Sequence, residues 1–315
     1  MKTRIISFIS CSLFLLSTFT NSISAQDKNP SFEGRWNLTI HENEKNYAAW
    51  LEIKPWSSFK VGLFLHIGGY PRPLSEIKIE GDQFSFAVPW SSENKILKVE
   101  GNLAVDKLKG KIYYPDGKVR NWSGVRAPEL PYEANPVWGK PIVLFNGKDL
   151  DGWHTNGKNQ WIAESGVLKS PRPGSNLMSD QEFTDFKLHI EFRYPKNGNS
   201  GVYLRGRYEV QVCDSKGKMP ASDEFGSIFG FIEPNEIVAK EPGEWQTYDI
   251  TLIGRRVTVE ANGSVIINDQ RLPAITGGAI DSKEAEPGPF MLQGDHDPVE
   301  YRNIIVIPRI ETVKE

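Results

Sequence analysis

One pattern recurs from Trp36 to Ile307: short runs in which apolar and polar side chains alternate, each closed by a turn sequence. A period of two suits a strand with one covered face and not a helix, whose covered face recurs about every 3.6 residues. In the first half the runs are Trp36 to Ile40, Trp50 to Ile53, Val61 to Ile67, Ile77 to Ile79, Phe84 to Val88, Ile96 to Val99 and Ile112 to Tyr114. Turn signals at Gly81-Asp82, Gly101-Asn102 and Asp116-Gly117 make this an antiparallel meander, a small barrel or sandwich over residues 30–127. Pro128, Pro131, Pro136 and Pro141 then interrupt the pattern, and proline removes ladder donors, so 128–140 reads as a linker. Beyond it runs return at Ile142 to Phe145, Trp161 to Leu168, Phe186 to Tyr194, Gly201 to Leu204, Tyr208 to Val212, Gly226 to Ile232, Trp245 to Ile253, Val257 to Glu260, Val265 to Ile267, Phe290 to Gln293 and Tyr301 to Ile307. Such a density of strands without a long amphipathic helix predicts an all-β chain, with a jelly-roll β-sandwich over 141–310.

Residues 1–25 read as an address. Lys2 and Arg4 precede an apolar stretch from Ile5 to Phe19, and Ala25 offers a cleavage position, so export to the periplasm or beyond is expected. The stretch is shorter than the roughly 20 residues of a spanning helix. Cleavage would remove Cys11 and leave Cys213 alone, which forbids an intramolecular disulfide. Net charge is −3, or −5 without Lys2 and Arg4. A mildly acidic chain lacks the basic surface that nucleic-acid backbones require, and no later run suggests stable membrane insertion.

Alternation assigns faces. In Leu188 to Tyr194 the apolar set faces the core, and His189, Glu191 and Arg193 share the other side. Tyr208, Val210 and Val212 alternate in the same way with Glu209, Gln211 and Cys213. Were these strands neighbours, Glu191, Arg193, Glu209 and Gln211 would share one surface, with Arg205 from the strand between. Charged residues on an open face are usually only solvated. The turn Asn197 to Gly201 would hold Asn199 and Ser200 at the rim of that surface, or serve hairpin chemistry alone.

A second polar cluster, Gln293-Gly294-Asp295-His296-Asp297, follows an apolar run. A histidine flanked by carboxylates suits an acid, a base or a metal ligand, and equally a polar loop. The sequence has no His-Glu-x-x-His, no calcium loop, no Gly-x-Ser-x-Gly and no phosphate-binding glycine motif. Serine hydrolases and nucleotide-binding proteins are therefore poor models, and no motif requires a cofactor.

Gly34 and Trp36 resemble the opening of lipocalin-like barrels, in which an aromatic ring closes one end. A core tryptophan gives the same signature. The second half carries more specific motifs. The run Leu144 to Trp153, then Glu191-Phe192-Arg193, Asn199 to Gly206, Tyr208 to Asp214, Pro242 to Tyr248, Leu292 to His296 and Tyr301 to Ile304 resembles the 3-keto-disaccharide hydrolase domain family over about residues 141–308. The resemblance implies a concanavalin A-like jelly roll with a sugar cleft on its concave face, in exported bacterial proteins. It also implies cleavage of glycosides oxidised at the third sugar carbon, with separate sugar-oxidising enzymes as pathway partners. Asp297 stands where the family often has glycine, and Phe229 where tyrosine is common.

A 3-keto group acidifies the proton on sugar carbon 2, so proton abstraction, β-elimination and hydration can break the glycosidic bond. The route needs a base, an enolate stabiliser and a leaving-group acid. Glu209 or Glu191 fits the base, Arg193 and Arg205 the enolate stabiliser, and His296 the acid. His296 and Glu209 are also candidate ligands for a divalent cation. The candidate catalytic residues are thus Glu191, Arg193, Glu209, Gln211 and His296; the candidate sugar-binding residues are Asn199, Ser200, Arg205, Asp214 and Gln293. A non-catalytic, lectin-like reading would instead use Trp153, Trp161 and Tyr203 as aromatic platforms. Ordinary retaining hydrolysis would need paired carboxylates, which Glu209-x-Gln211-x-x-Asp214 matches distantly.

Overall fold

The computed structural model describes residues 31–90 and 95–310, so the leader expected at 1–25 lies outside the described residues. The first half is a closed barrel of β1 (Gly34–Glu42), β2 (Lys45–Trp56), β3 (Phe59–Leu65), β4 (Arg72–Glu80), β5 (Gln83–Pro89), β6 (Ile96–Ala104), β7 (Lys107–Tyr113) and β8 (Val119–Arg126). Each strand pairs antiparallel with the next, and β1 closes on β8 with Trp36 opposite Arg126. Closure removes the unpaired edges that a sandwich would keep. Trp36, Leu38 and Ile40 point inward with Leu51, Ile53, Phe64 and Trp122, as period two requires. Arg126 lies over the Trp36 ring at 3.8 Å.

The second half is a two-sheet sandwich. Its strands are β9 (Ile142–Val143), β10 (Trp153–Thr155), β11 (Ile162–Glu164), β12 (Val167–Ser170), β13 (Leu177–Phe183), β14 (Phe186–Arg193), β15 (Asn199–Leu204), β16 (Tyr208–Cys213), β17 (Gln246–Ile253), β18 (Arg256–Ala261), β19 (Ser264–Arg271), β20 (Gly288–Leu292) and β21 (Val299–Pro308). One sheet runs β10-β13-β20-β15-β16, and the other β11-β12-β21-β14-β17-β18-β19, with β9 beside β21. Val202, Leu204, Tyr208, Val210 and Val212 from the first meet Leu188, Ile190, Phe192, Tyr248, Ile250 and Tyr301 from the second. These inner faces form the core of a jelly-roll sandwich.

Three local expectations change. The run Gly226 to Ile232 forms turns with isolated bridges at Ile228, because its carbonyls and amides serve the backbone of β16 as an added layer. Trp161 to Leu168 splits into β11 and β12 at Ser165-Gly166, both in the left-handed region. Strand β13 was hidden by its polar stretch from Ser179 to Glu182, where the register shifts against β20.

The halves are not tethered beads. Ala48, Trp50 and Leu65 point out of the barrel and are buried in the sandwich's core, with Trp50 edge-on to Phe231 at 6.2 Å. Strand β2 is therefore apolar on both faces from Ala48 to Leu51, where a half-exposed strand would alternate. The proline-rich join lies along the sandwich: Arg255 donates to the Pro128 carbonyl at 3.2 Å, and Glu129 bridges Arg35 and Arg271.

Candidate active site on the five-stranded sheet

Strands β14 and β15, consecutive in the chain, fall in opposite sheets, which separates the two glutamates that alternation suggested could meet. Glu191 and Arg193 lie on the outer face of the eight-stranded sheet, since β14 pairs with β17 and β21. Glu209 and Gln211 lie on the five-stranded sheet, where β16 pairs with β15. The expected common surface of Glu191, Arg193, Glu209 and Gln211 does not form. Period two reports which side of its own strand a residue occupies, not which sheet the strand joins.

On the eight-stranded sheet every expected chemical group is already engaged. Glu191 accepts from Arg302 Nε at 2.7 Å and from Asn303 Nδ2 at 2.6 Å. Arg193 donates to Glu300 at 2.5 Å, and His189 pairs with Asp249 at 2.8 Å. The guanidinium groups of Arg193 and Arg302 stack on Trp245. Partial burial opposes the Glu191 charge, but Asn303, Arg302 and nearby His189 outweigh it and hold the carboxyl below its usual range. A carboxylate so stabilised is a weak base.

The outer face of the five-stranded sheet is different. Glu209 is 3% exposed and has no cationic partner among its hydrogen bonds. Its Oε2 lies 2.8 Å from the Tyr203 hydroxyl, directly across the ladder, and that hydroxyl is also 2.9 Å from the Gly277 carbonyl. A phenol has one proton, and a carbonyl only accepts. The Tyr203 hydroxyl therefore has two acceptors within reach of its one proton, Glu209 Oε2 and the Gly277 carbonyl. Burial, against the pull of the Tyr203 bond and with the added charge of Asp295, raises the Glu209 carboxyl to about 8. Gly201 faces Glu209 from β15, and any side chain there would collide with the carboxylate. Glycine at that position makes room for the glutamate.

Around this acid the sheet presents amides and apolar atoms. Gln211 Nε2 donates to Asn199 Oδ1 at 3.0 Å, one step further along the ladder. Met178 and Met291 pack beside Tyr203. Gln293 follows β20, its backbone amide on the Gly201 carbonyl and its own Oε1 buried without a hydrogen-bond partner. The following loop runs beside β15, with the Asp297 amide on the Asn199 carbonyl, and holds His296 half exposed with Nδ1 2.7 Å from Asp295 Oδ1. A polar cleft of about 600 Å³ opens past Asn199 and Gln211 towards Asp214 and Phe229. Asp214 accepts from the Asn197 amide at 2.9 Å and steadies the turn at the cleft's edge.

Glu209, Gln211, Asn199, Gln293, Asp214 and His296 thus belong to one face or its rim. Two other expected sugar-binding residues do not. Ser200 points into the core, its hydroxyl on the Gln293 carbonyl and the Tyr301 hydroxyl. Arg205 occupies the left-handed turn between β15 and β16, buried and donating to the Gly254 and Glu284 carbonyls. It belongs to a structural cluster in which Arg255 pairs with fully buried Glu284 at 2.6 Å. Trp153 and Trp161 are buried, with their indole N–H groups on the Leu144 and Ser175 carbonyls, so neither is an aromatic platform. Tyr203, expected only as an aromatic platform, is instead the hydrogen-bond partner of Glu209, and Asp295, noted only as a carboxylate beside His296, is a charge that Glu209 feels. No group of three or more His, Cys, Asp or Glu suited to a metal occurs among the described residues.

Comparison with known proteins adds identity to this geometry. A curated 3-keto-disaccharide hydrolase of Bacteroides thetaiotaomicron is 30% identical over 103 residues, 29% of this chain and 33% of the relative, so the chain spans a third of that protein's length. A Parabacteroides distasonis protein described as a candidate glycosyl hydrolase is 31% identical, with a TM-score of 0.47 over 56% of this chain and 92% of its own. A second such protein from the same organism is 18% identical, with a TM-score of 0.46 over 54% and 94%. The model of one family matches residues 140–307, which hold both sheets and every residue of the Glu209 face; the chain belongs to the 3-keto-alpha-glucoside-1,2-lyase-like domain family.

Proposed function

We propose that this chain is an exported enzyme that cleaves 3-keto glycosides on the outer face of its five-stranded sheet. The observation that carries the reading is the Glu209–Tyr203 pair: a buried carboxyl, raised to about 8 and free of cations in its hydrogen bonds, is poised to take a proton near neutral pH. In the proposed step ionised Glu209 removes the proton from sugar carbon 2, and the C–H electrons pass into the 3-keto group as an enolate. The enolate then expels the substituent on carbon 1, whose oxygen takes a proton from His296, held through Nδ1 by Asp295. Water adds across the resulting double bond, and the free sugar and its aglycone leave. The carboxamides of Gln211 and Asn199 take the enolate role first given to arginines. The substrate would come from separate sugar-oxidising enzymes, and the leader would place the reaction outside the cytoplasm.

The test is to offer the purified protein matched 3-keto and unoxidised disaccharides and to follow products by NMR. Cleavage of the keto sugars alone is the expected outcome. Equal cleavage of both would mean ordinary glycosidase chemistry, and saturable binding without cleavage would mean a lectin.

A further inference from the structure

The barrel reaches into this cleft. The segment between β3 and β4 carries Gly68-Gly69-Tyr70-Pro71, and the sandwich holds it at two places. Gly278 donates its amide to the Ile67 carbonyl at 3.0 Å, and Gly277 lies so close to Gly69 that an added Cβ would sit 2.5 Å from the Gly69 oxygen. On the other side Gly230 packs on Pro71 and Tyr70. Both anchor points also touch the candidate catalytic pair, since the Gly277 carbonyl accepts from Tyr203 and the Phe229 amide donates to the Glu209 carbonyl. Backbone contacts therefore fix this loop independently of what the Tyr70 side chain touches.

That side chain is 48% exposed and lines the cleft with Asn199, Gln211 and Asp214. Its ring lies 5.0 Å from Phe229 at 36°, and its hydroxyl donates to Asp223 Oδ2 at 2.7 Å. These two contacts hold the ring in one orientation and leave the rest of its surface to the cleft. An oriented aromatic ring beside amides and carboxylates matches a sugar, whose C–H face is apolar and whose rim is hydroxylated. Glu209 stands near the start of β16, one outward position before Gln211 at the cleft wall, and Cys213, which lines the cleft, ends the strand, roughly 13 Å from Glu209 along an extended strand. One sugar ring does not cover that distance.

We propose that Tyr70 of the barrel is a specificity-determining residue of the sandwich's cleft, stacking on the second sugar ring of a disaccharide whose first ring lies at Glu209. The inference rests on the sugar-cleaving reading of this face. It makes the barrel a working part of the site: the sandwich holds the reacting ring, and the barrel selects what is attached to it.

The test compares full-length wild type, Tyr70→Phe, Tyr70→Ala and, as a control for loss of an exposed tyrosine elsewhere, Tyr132→Ala. Binding of a glucosyl disaccharide and its 3-keto form is measured by calorimetry, with methyl 3-keto-glucoside as the one-ring probe. Tyr70→Ala is expected to weaken disaccharide binding about tenfold and one-ring binding far less, while Tyr70→Phe keeps the ring and most of the affinity. Ring-labelled tyrosine in wild-type protein supplies a readout that needs no folded alanine variant: the signal missing from Tyr70→Phe should shift on titration with disaccharide and not with the one-ring sugar. Unchanged disaccharide affinity in Tyr70→Ala, an equal loss in Tyr70→Phe or Tyr132→Ala, or a Tyr70 signal indifferent to disaccharide would overturn the proposal while leaving cleavage at Glu209 intact. A wild type that binds neither probe would overturn the sugar-site reading itself, and this proposal with it.

Discussion

Glu191 and Glu209 occupy equivalent places in their strands, each an outward position between core-facing neighbours, yet the two sheets give them opposite chemistry. On the eight-stranded sheet Arg302 and Asn303 surround Glu191 and hold it ionised. On the five-stranded sheet burial and the nearby charge of Asp295 disfavour the charge of Glu209, against the pull of its bond to Tyr203. A strand position alone does not define a catalytic acid or base; what packs over the position does.

The contrast can be broken most directly by exchanging charge for amide on each sheet. Glu209→Gln should lower turnover of a 3-keto disaccharide by roughly a hundredfold to ten-thousandfold, the usual range for a lost proton-transfer group. Glu191→Gln should stay within about threefold in the same assay, because its loss disturbs a surface ion-pair lattice only. Equal losses in both would erase the distinction. The pH profile sharpens it further. If ionised Glu209 is the base, its active fraction climbs about tenfold per pH unit well below 8 and levels above it, so the rate should follow that limb in wild type. A flat profile between pH 6 and 9, in roughly unit steps, would exclude the assignment.

Stability gives a smaller signal of opposite sign at the two sites. Unfolded chains release the glutamate proton near the ordinary value of 4.5, whereas folded Glu209 keeps it to about 8. In that window the unfolded state binds fewer protons, so this site's contribution falls as pH rises, by at most about 1.4 kcal/mol per unit, and Glu209→Gln should remove that slope in denaturant titrations. The lowered Glu191 works the other way: its contribution is present above the unfolded value and lost as pH falls through the folded one. Glu191→Gln at neutral pH should cost about 1 kcal/mol or less, the smallest of these effects.

Alternation exposed most of the strands and, in β14 and β16, the core-facing side, including the burial of Tyr208, Val210 and Val212 opposite Glu209 and Gln211. It did not expose pairing. Eighteen positions separate Glu191 from Glu209 in the chain, and only the three-dimensional strand order shows that β14 and β15 lie in different sheets. Arg205 was misread for a related reason: its sequence context is a strand end, but a left-handed turn directs it into the buried Glu284 cluster. Tyr70 lies in a glycine-rich turn between two barrel strands, and nothing local to that turn points to a cleft built by residues more than a hundred positions away.

Trp50 and Leu65, outward on the barrel and inward for the sandwich, also set an order of events during synthesis. The barrel is complete in sequence at Arg126, but the last sandwich strand ends at Pro308, so at about 5–20 residues per second a translating ribosome needs roughly 10–40 s to supply the rest. In any interval in which the barrel closes before the sandwich, its wall would carry an uncovered tryptophan that only the sandwich covers.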